Sequence, residues 1–259
     1  MKRLKAIILM SCMFALSCDG QTTNLEPYDA SLKKMTVSLN MNKVSKSFVY
    51  LESTMDITRE YCDEEEKNCK NYSESVHSAL GSGMTITKGG KIYVLTAGHI
   101  CAPQAYDPYL KIIGHLGRVT NKLHGIGYHG NTSEFKILAI DKEKDVCILQ
   151  AKTNWMSPGV KLAHKLPNPG SRVYMASAPF GIFEPGLILI YNGYLAGSDS
   201  DGDIVVSMPT RPGTSGSAIL DKKGRVIGVI HSAFSAMETV GIGSPIEAVH
   251  KLFDSLEQK

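Results

Sequence analysis

No charge of either sign dominates this 259-residue chain: 28 lysines and arginines against 25 aspartates and glutamates leave a formal net charge of +3. So small a surplus, spread along the chain, gives no electrostatic footprint for nucleic acid as a partner. Aromatic residues are few, at 7%, and no internal repeat of solenoid period is present. The apolar run "AIILMSCMFAL" at residues 6–16 is too short to span a bilayer stably. What the chain does have is apolar content of 43%, ample for a core, and 24 glycines punctuating short apolar runs. That texture predicts an all-β chain rather than a helical bundle.

The first residues read as a targeting segment. "MKRLK" is a basic start, an apolar stretch follows, and "ALSC" sets Cys18 after small and apolar residues. Residues 1–18 are therefore expected to be a signal peptide, either of lipoprotein type with Cys18 acylated or cleaved as an ordinary secretory signal near Ser17 to Gly20. Ala15 stands where lipoprotein signals usually carry Leu, so both routes stay open. Either route places the mature protein in the periplasm or outside the cell, and acylation would tether it to a membrane without a spanning helix. Setting aside Cys12 and Cys18 leaves Cys62, Cys69, Cys101 and Cys147, an even number that suggests two disulfides in an oxidising compartment. Cys62 and Cys69 bracket the acidic turn "DEEEKN", which leaves Cys101 to pair with Cys147. A zinc site is the alternative for the first pair, but six intervening residues without a nearby histidine pair suit it poorly, and no metal is expected.

Residues 19–75 are polar and turn-rich and read as an extension, with "SFVYLEST" as one edge strand and an acidic cysteine loop. From Ala79 onward the texture changes. "ALGSGMTITKGGKIYVLTAGHI" is two strands joined by a Lys-Gly-Gly turn, a hairpin signal. "LKIIGHLG", "EFKILAI", "VCILQAK", "SRVYMASA", "GLILIYNGYLA", "DIVVSMP", "SAILD", "GRVIGVIHS" and "TVGIGS" supply further strands, a pattern that suits a sandwich or barrel. The end differs: Ser244 as N-cap, Pro245 at the first helical position and Glu247 two residues on form a capping box, and Ile246, Val249, Leu252, Phe253 and Leu256 share one helical face over 245–258.

The stretch "RPGTSGSAIL" at 211–220 sets Ser215 close to Gly213 and Gly216, directly before an apolar strand. A tight turn explains it blandly; a nucleophile would need a base and an orienting carboxylate elsewhere. "YVLTAGHIC" places His99 just past an apolar strand, and "DKEKDVCILQ" places Asp145 immediately before another, where an unpaired buried carboxylate would be costly.

"TAGHIC", "DVCIL" and "GTSGSAI", in that order, resemble the motifs of the chymotrypsin-fold serine proteases, whose triad runs His, Asp, Ser. The resemblance is closest to HtrA-type and other bacterial trypsin-like peptidases. "PGSRVYMASAPFG", "RPGTSGSAILDKKGRVIGVI" and "VGIGSPIEAVHKLF" look like three further segments of theirs, and the likeness runs from Gly81 to the last helix. It implies two six-stranded antiparallel β-barrels, about 76–152 and 165–245, followed by the C-terminal helix. It also implies a serine endopeptidase acting through an acyl-enzyme, with His99, Asp145 and Ser215 catalytic, the amides of Gly213 and Ser215 as oxyanion hole, protein or peptide substrates and no cofactor. The chain stops after the helix, so no PDZ domain and none of its assembly behaviour is expected; the oligomeric state is left open.

Two positions depart from the family pattern. Thr214 replaces the usual Asp or Asn and cannot make the zymogen-activation ion pair, and Ser217 replaces the second Gly of "SGG", as it does in glutamyl endopeptidases. Aligned without gaps, Pro209, Thr210, Ile230 and Ala233 would line the primary pocket. With no aspartate at its base, small or medium aliphatic P1 residues are expected. His231 lies one position beyond the pocket histidine of glutamyl endopeptidases, so its side chain is expected to face Asp145 or the core. The backbone of His231, Ser232 and Ala233 would pair with an extended substrate. Two other readings stand beside the enzyme: a catalytically weak peptide-binding module on the same fold, and a structural surface lipoprotein.

Overall fold

A computed structural model of the chain describes residues 40–62, 69–114, 117–153, 159–234 and 237–258. The expected signal peptide, Cys18 and the acidic residues 63–68 lie outside the described residues. Among the described residues no helix is long and apolar enough to cross a membrane.

A short helix, α1 (Met41–Ser47), leads into the first strand; the Asn40 side chain accepts from the Lys43 N–H and starts it. Strands β1 (Phe48–Cys62), β2 (Cys69–Lys88), β3 (Lys91–Ala97), β4 (Arg118–Gly127), β5 (Thr132–Asp141) and β6 (Val146–Ala151) close a barrel in the order β1-β2-β3-β6-β5-β4. The β2–β3 hairpin turns at Gly89 and Gly90, both at positive φ, as the Lys-Gly-Gly signal predicts. The first barrel begins earlier than expected, since all of β1 and the first part of β2 fall inside 19–75. The distal hairpin, Glu60 to Cys62 paired with Cys69 to Asn71, is exposed on both faces, so no buried period marks it as strand. The Cys62–Cys69 disulfide closes it.

A second correction concerns "LKIIGHLG", whose described part is a helix, α3 (Pro108–Gly114). Asp107 Oδ1 accepts from the N–H groups of Tyr109 and Leu110, 2.8 and 3.2 Å away, and so starts a helix whose Leu110 packs on Met55 and Ile57.

The second sheet contains β7 (Lys161–Leu162), β8 (Arg172–Ser177), β9 (Leu189–Ser198), β10 (Ile204–Val206), β11 (Ala218–Leu220), β12 (Arg225–Phe234) and β13 (Met237–Pro245). Its order is β11-β8-β9-β10-β13-β12-β7, and the β11–β12 pairing closes six of these strands into an antiparallel barrel. The two-residue β7 adds to β12 in parallel.

Each barrel has its own apolar interior: Val49, Leu51, Leu123 and Leu149 in the first, Val173, Leu195, Ile204 and Ile227 in the second. A third cluster joins them. Phe48, Met84, Ile86 and Ile148 meet Ala176, Leu220, Val226 and Val229, and α4 (Ile246–Glu257) covers them with Ile246, Val249, Leu252 and Phe253. The expected capping box is absent. Strand β13 stays paired to Pro245, which takes the N-cap place, and the Ser244 hydroxyl donates across the seam to the Lys144 carbonyl.

Candidate active site

Strand β3 ends in a single helical turn, α2 (Gly98–Cys101), that carries His99. Gly98 is a requirement of the site: a Cβ there would lie 2.4 Å from the Tyr106 hydroxyl and 2.9 Å from Asp145 Oδ1. Asp145 closes the β5–β6 turn at a φ of 50°, a left-handed conformation uncommon outside glycine. The Cys101–Cys147 disulfide joins α2 to β6, each cysteine two residues beyond one of these side chains.

His99 and Asp145 are paired twice. Asp145 Oδ2 is 2.7 Å from His99 Nδ1, and Oδ1 accepts from the His99 backbone N–H, also at 2.7 Å. Burial pushes the Asp145 carboxyl up. The His99 ring and backbone N–H outweigh it, with a smaller contribution from His231, so the group ionises below the ordinary carboxylate value. Tyr106, which no sequence signal marked, sets its ring edge-on to His99 with centroids 6.0 Å apart. Burial, then the charges of Asp145 and Asp141, raise its phenol well above the usual value, so it stays neutral.

The loop from Arg211 to Ser217 carries Ser215, half-buried at the seam. Thr214, fully buried, is absorbed by this loop: its hydroxyl donates to the Arg211 carbonyl and accepts from the Arg211 N–H. Gly213 and Gly216 both have positive φ, 91° and 85°. A Cβ on Gly213 would lie 2.4 Å from the Ala178 carbonyl oxygen; one on Gly216 would lie 2.1 Å from the Ser82 carbonyl oxygen. Among the described residues the amides of Gly213 and Ser215 donate to no acceptor, while those of Thr214, Gly216 and Ser217 do. The Pro212 carbonyl is held away by the Phe180 N–H at 2.7 Å.

The loop is seated on the opposite barrel. The Ser82 N–H donates to the Ser215 carbonyl at 2.8 Å, and the buried Ser82 hydroxyl donates to the Gly213 carbonyl at 2.8 Å while accepting from the Ala178 N–H at 3.1 Å. A Cβ on Gly81 would touch both Ile100, beside His99, and the Ser215 carbonyl oxygen.

The specificity residues separate. Pro209 is half-buried and Thr210 buried, whereas Ile230 is fully buried inside the second barrel among Met208 and Leu195. Ser232 and Ala233 are exposed; β13 pairs with one edge of this segment, and no described strand pairs with the other. His231 falls at a break in the β12–β13 register, between Ile230 and Ser232. Its Nε2 approaches Asp203 Oδ2 at 3.4 Å, and Asp145 is near enough to act on its charge.

The model of the trypsin-like peptidase domain matches residues 81–229. Two relatives from strains of Staphylococcus epidermidis, each described as "Serine protease HtrA-like", are 24% identical over 98% of this chain and 42% of their own length. The chain thus spans less than half the length of these curated relatives. The crystal structure of the serine endoprotease from Yersinia pestis shares the fold, with a TM-score of 0.60 and 15% identity over 85% of this chain and 65% of that one. With a family model covering more than half of its length, this chain belongs to the trypsin-like peptidase domain family.

Proposed function

We propose that the chain is a serine endopeptidase in which Ser215 is the nucleophile, His99 the general base and then acid, and Asp145 the residue that orients His99. The observation that carries this reading is the two-point grip of Asp145 on His99, seated in the same seam as a loop whose Gly213 and Ser215 amides have no acceptor among the described residues. A neutral serine hydroxyl is a poor nucleophile until a base takes its proton. Asp145 on Nδ1 fixes the tautomer that leaves Nε2 free to accept it. As Ser215 Oγ bonds to the substrate carbonyl carbon, its proton passes to His99 and the carbonyl oxygen becomes an oxyanion. The N–H groups of Gly213 and Ser215 are suited to receive that charge. Collapse of the intermediate breaks the C–N bond, His99 protonates the leaving amine, and an acyl-Ser215 remains. Water, deprotonated by His99, then releases the acid.

Substrate is proposed to enter as an added strand along His231 to Ala233, where that edge has no described strand partner. Thr210, with its hydroxyl turned to the Met208 carbonyl, offers no charge to a P1 residue, which supports a preference for small or medium aliphatic side chains over Lys or Arg. Both disulfides suit export to an oxidising compartment, in line with the sequence of residues 1–18. A fluorophosphonate probe tests the reading. Labelling of the unmodified protein that disappears in Ser215→Ala is expected, together with cleavage of a peptide library after aliphatic residues. An unmodified protein that neither labels nor cleaves refutes it.

A further inference from the structure

The β9–β10 turn reaches across the seam to the residue beside Asp145. Asp199 builds this turn, its Oδ1 accepting from the N–H groups of Asp201 and Asp203 at 3.0 and 2.9 Å. The turn then holds Lys144 twice: Nζ donates to the Asp201 carbonyl at 2.6 Å and to Asp203 Oδ1 at 3.0 Å. The Ser244 hydroxyl holds the Lys144 carbonyl from β13. Lys144 immediately precedes Asp145, whose backbone is left-handed at a φ of 50°. The other oxygen of Asp203 faces His231, which the register break in β12 turns into the seam. Side chains of Asp203 and His231 are 18% and 13% exposed, so the Asp203 charge is poorly screened where the two meet.

We propose, on the basis of the peptidase reading above, that Asp203 is a positioning residue that reaches the triad from the second barrel, fixing the Lys144–Asp145 turn and seating His231 beside Asp145.

The charges around this group agree. His231 is faced by Asp203 from the β9–β10 turn, Asp145 from the β5–β6 turn and His99 from α2; Lys144 is faced by Asp203, Asp201 and Glu143. Burial holds His231 below its ordinary ionisation range, against the pull of the two carboxylates, so at neutral pH it is an uncharged neighbour. Asp203 therefore has one cation to balance, Lys144, and removing the carboxylate would free that cation beside Asp145.

Asp203→Asn keeps the shape and removes the charge. Expected is a fall in kcat per active site, counted by fluorophosphonate titration, of roughly tenfold to a hundredfold with KM little changed. In Lys144→Met/Asp203→Asn the charges again cancel, yet kcat should stay low because the turn is still unheld. A merely structural role would lower the number of active sites but leave kcat per site unmoved, and that result overturns the proposal. An activity-free readout uses Ser215→Ala protein: the NMR titration of His231 should move to lower pH on adding Asp203→Asn, and an unmoved titration also overturns it. If the unmodified protein fails to label, the peptidase reading falls, and the histidine titration alone decides for Asp203.

Discussion

Replacing Gly213 by Ala separates a glycine that merely makes a turn from one that aims an amide. The residue sits at φ 91°, and its missing Cβ would meet the Ala178 carbonyl oxygen at 2.4 Å and the Phe180 and Gly181 nitrogens at 3.0 and 3.2 Å. Those are backbone atoms, so no side chain can rotate away and the peptide at 213 must move instead. Left-handed backbone at a non-glycine residue is worth about 1–2 kcal/mol of destabilisation before the clash is counted. The same movement turns the Gly213 N–H away, and one oxyanion donor is worth about 3 kcal/mol in the transition state. Gly213→Ala should therefore lower kcat by about a hundredfold or more, with KM changed little, and also lower the thermal midpoint. Peptide hydrolysis normalised to sites labelled by the fluorophosphonate measures the first effect, and calorimetry the second. Near-normal kcat per labelled site in a destabilised protein would refute the oxyanion assignment and leave Gly213 as a turn residue only.

Asp145→Asn should cut kcat by roughly 10⁴-fold while leaving the fold intact, because the amide favours the wrong tautomer of His99; a loss below tenfold would count against the triad. Removing the Cys101–Cys147 bridge, which closes a sequence separation of 46, should destabilise by about 4 kcal/mol on the loop-entropy estimate, against about 2.5 kcal/mol for Cys62–Cys69 with its separation of 7; urea unfolding of the two double-serine variants gives the comparison. Stability should also fall in acid by two routes of the same sign. His231 ionises lower when folded than its ordinary value near 6.5, so below that pH the unfolded chain takes up a proton that the native state refuses. Asp145, also lowered on folding, contributes stability above pH ~4 that is lost as its folded value is passed. His231→Gln should flatten the first decline and leave the second, as followed by urea midpoints between pH 7.5 and 3.5.

The residues that carry the proposed chemistry were legible because each sits at a strand boundary with a local mark. His99 follows β3 in a run of small residues, Asp145 precedes the fully apolar start of β6, and Ser215 lies among the two glycines that its loop requires. Elements whose local texture points elsewhere were not. The distal β1–β2 hairpin has no buried face to impose a period of two, so "REYC" reads as loop although it is strand. "LKIIG" has the composition of a strand, yet the Asp107 cap makes it a helix. Ser244 has the local pattern of a helix cap and is recruited by Lys144, 100 positions away. Tyr106, Ser82 and Asp203 carry no motif at all, because their part depends on what folding brings beside them.

Ser82 shows how far the nucleophile loop depends on the barrel that does not carry it. Its hydroxyl bridges the Gly213 carbonyl and the Ala178 N–H, and its own amide holds the Ser215 carbonyl. Ser82→Ala keeps the backbone bond and deletes the bridge, leaving a buried carbonyl and a buried N–H without partners, a loss of about 2–4 kcal/mol in stability. More telling is where the loss appears. The deleted bond grips Gly213 from the carbonyl side of the residue whose N–H is assigned to the oxyanion, so that loop gains freedom where it needs aim. Ser82→Ala should therefore lower kcat per labelled site, whereas an equally destabilising change in the first-barrel interior, such as Leu123→Ala, should lower stability and leave kcat per site near normal. Equal kcat in the two variants would mean that the loop holds its own shape and the seam contributes only stability.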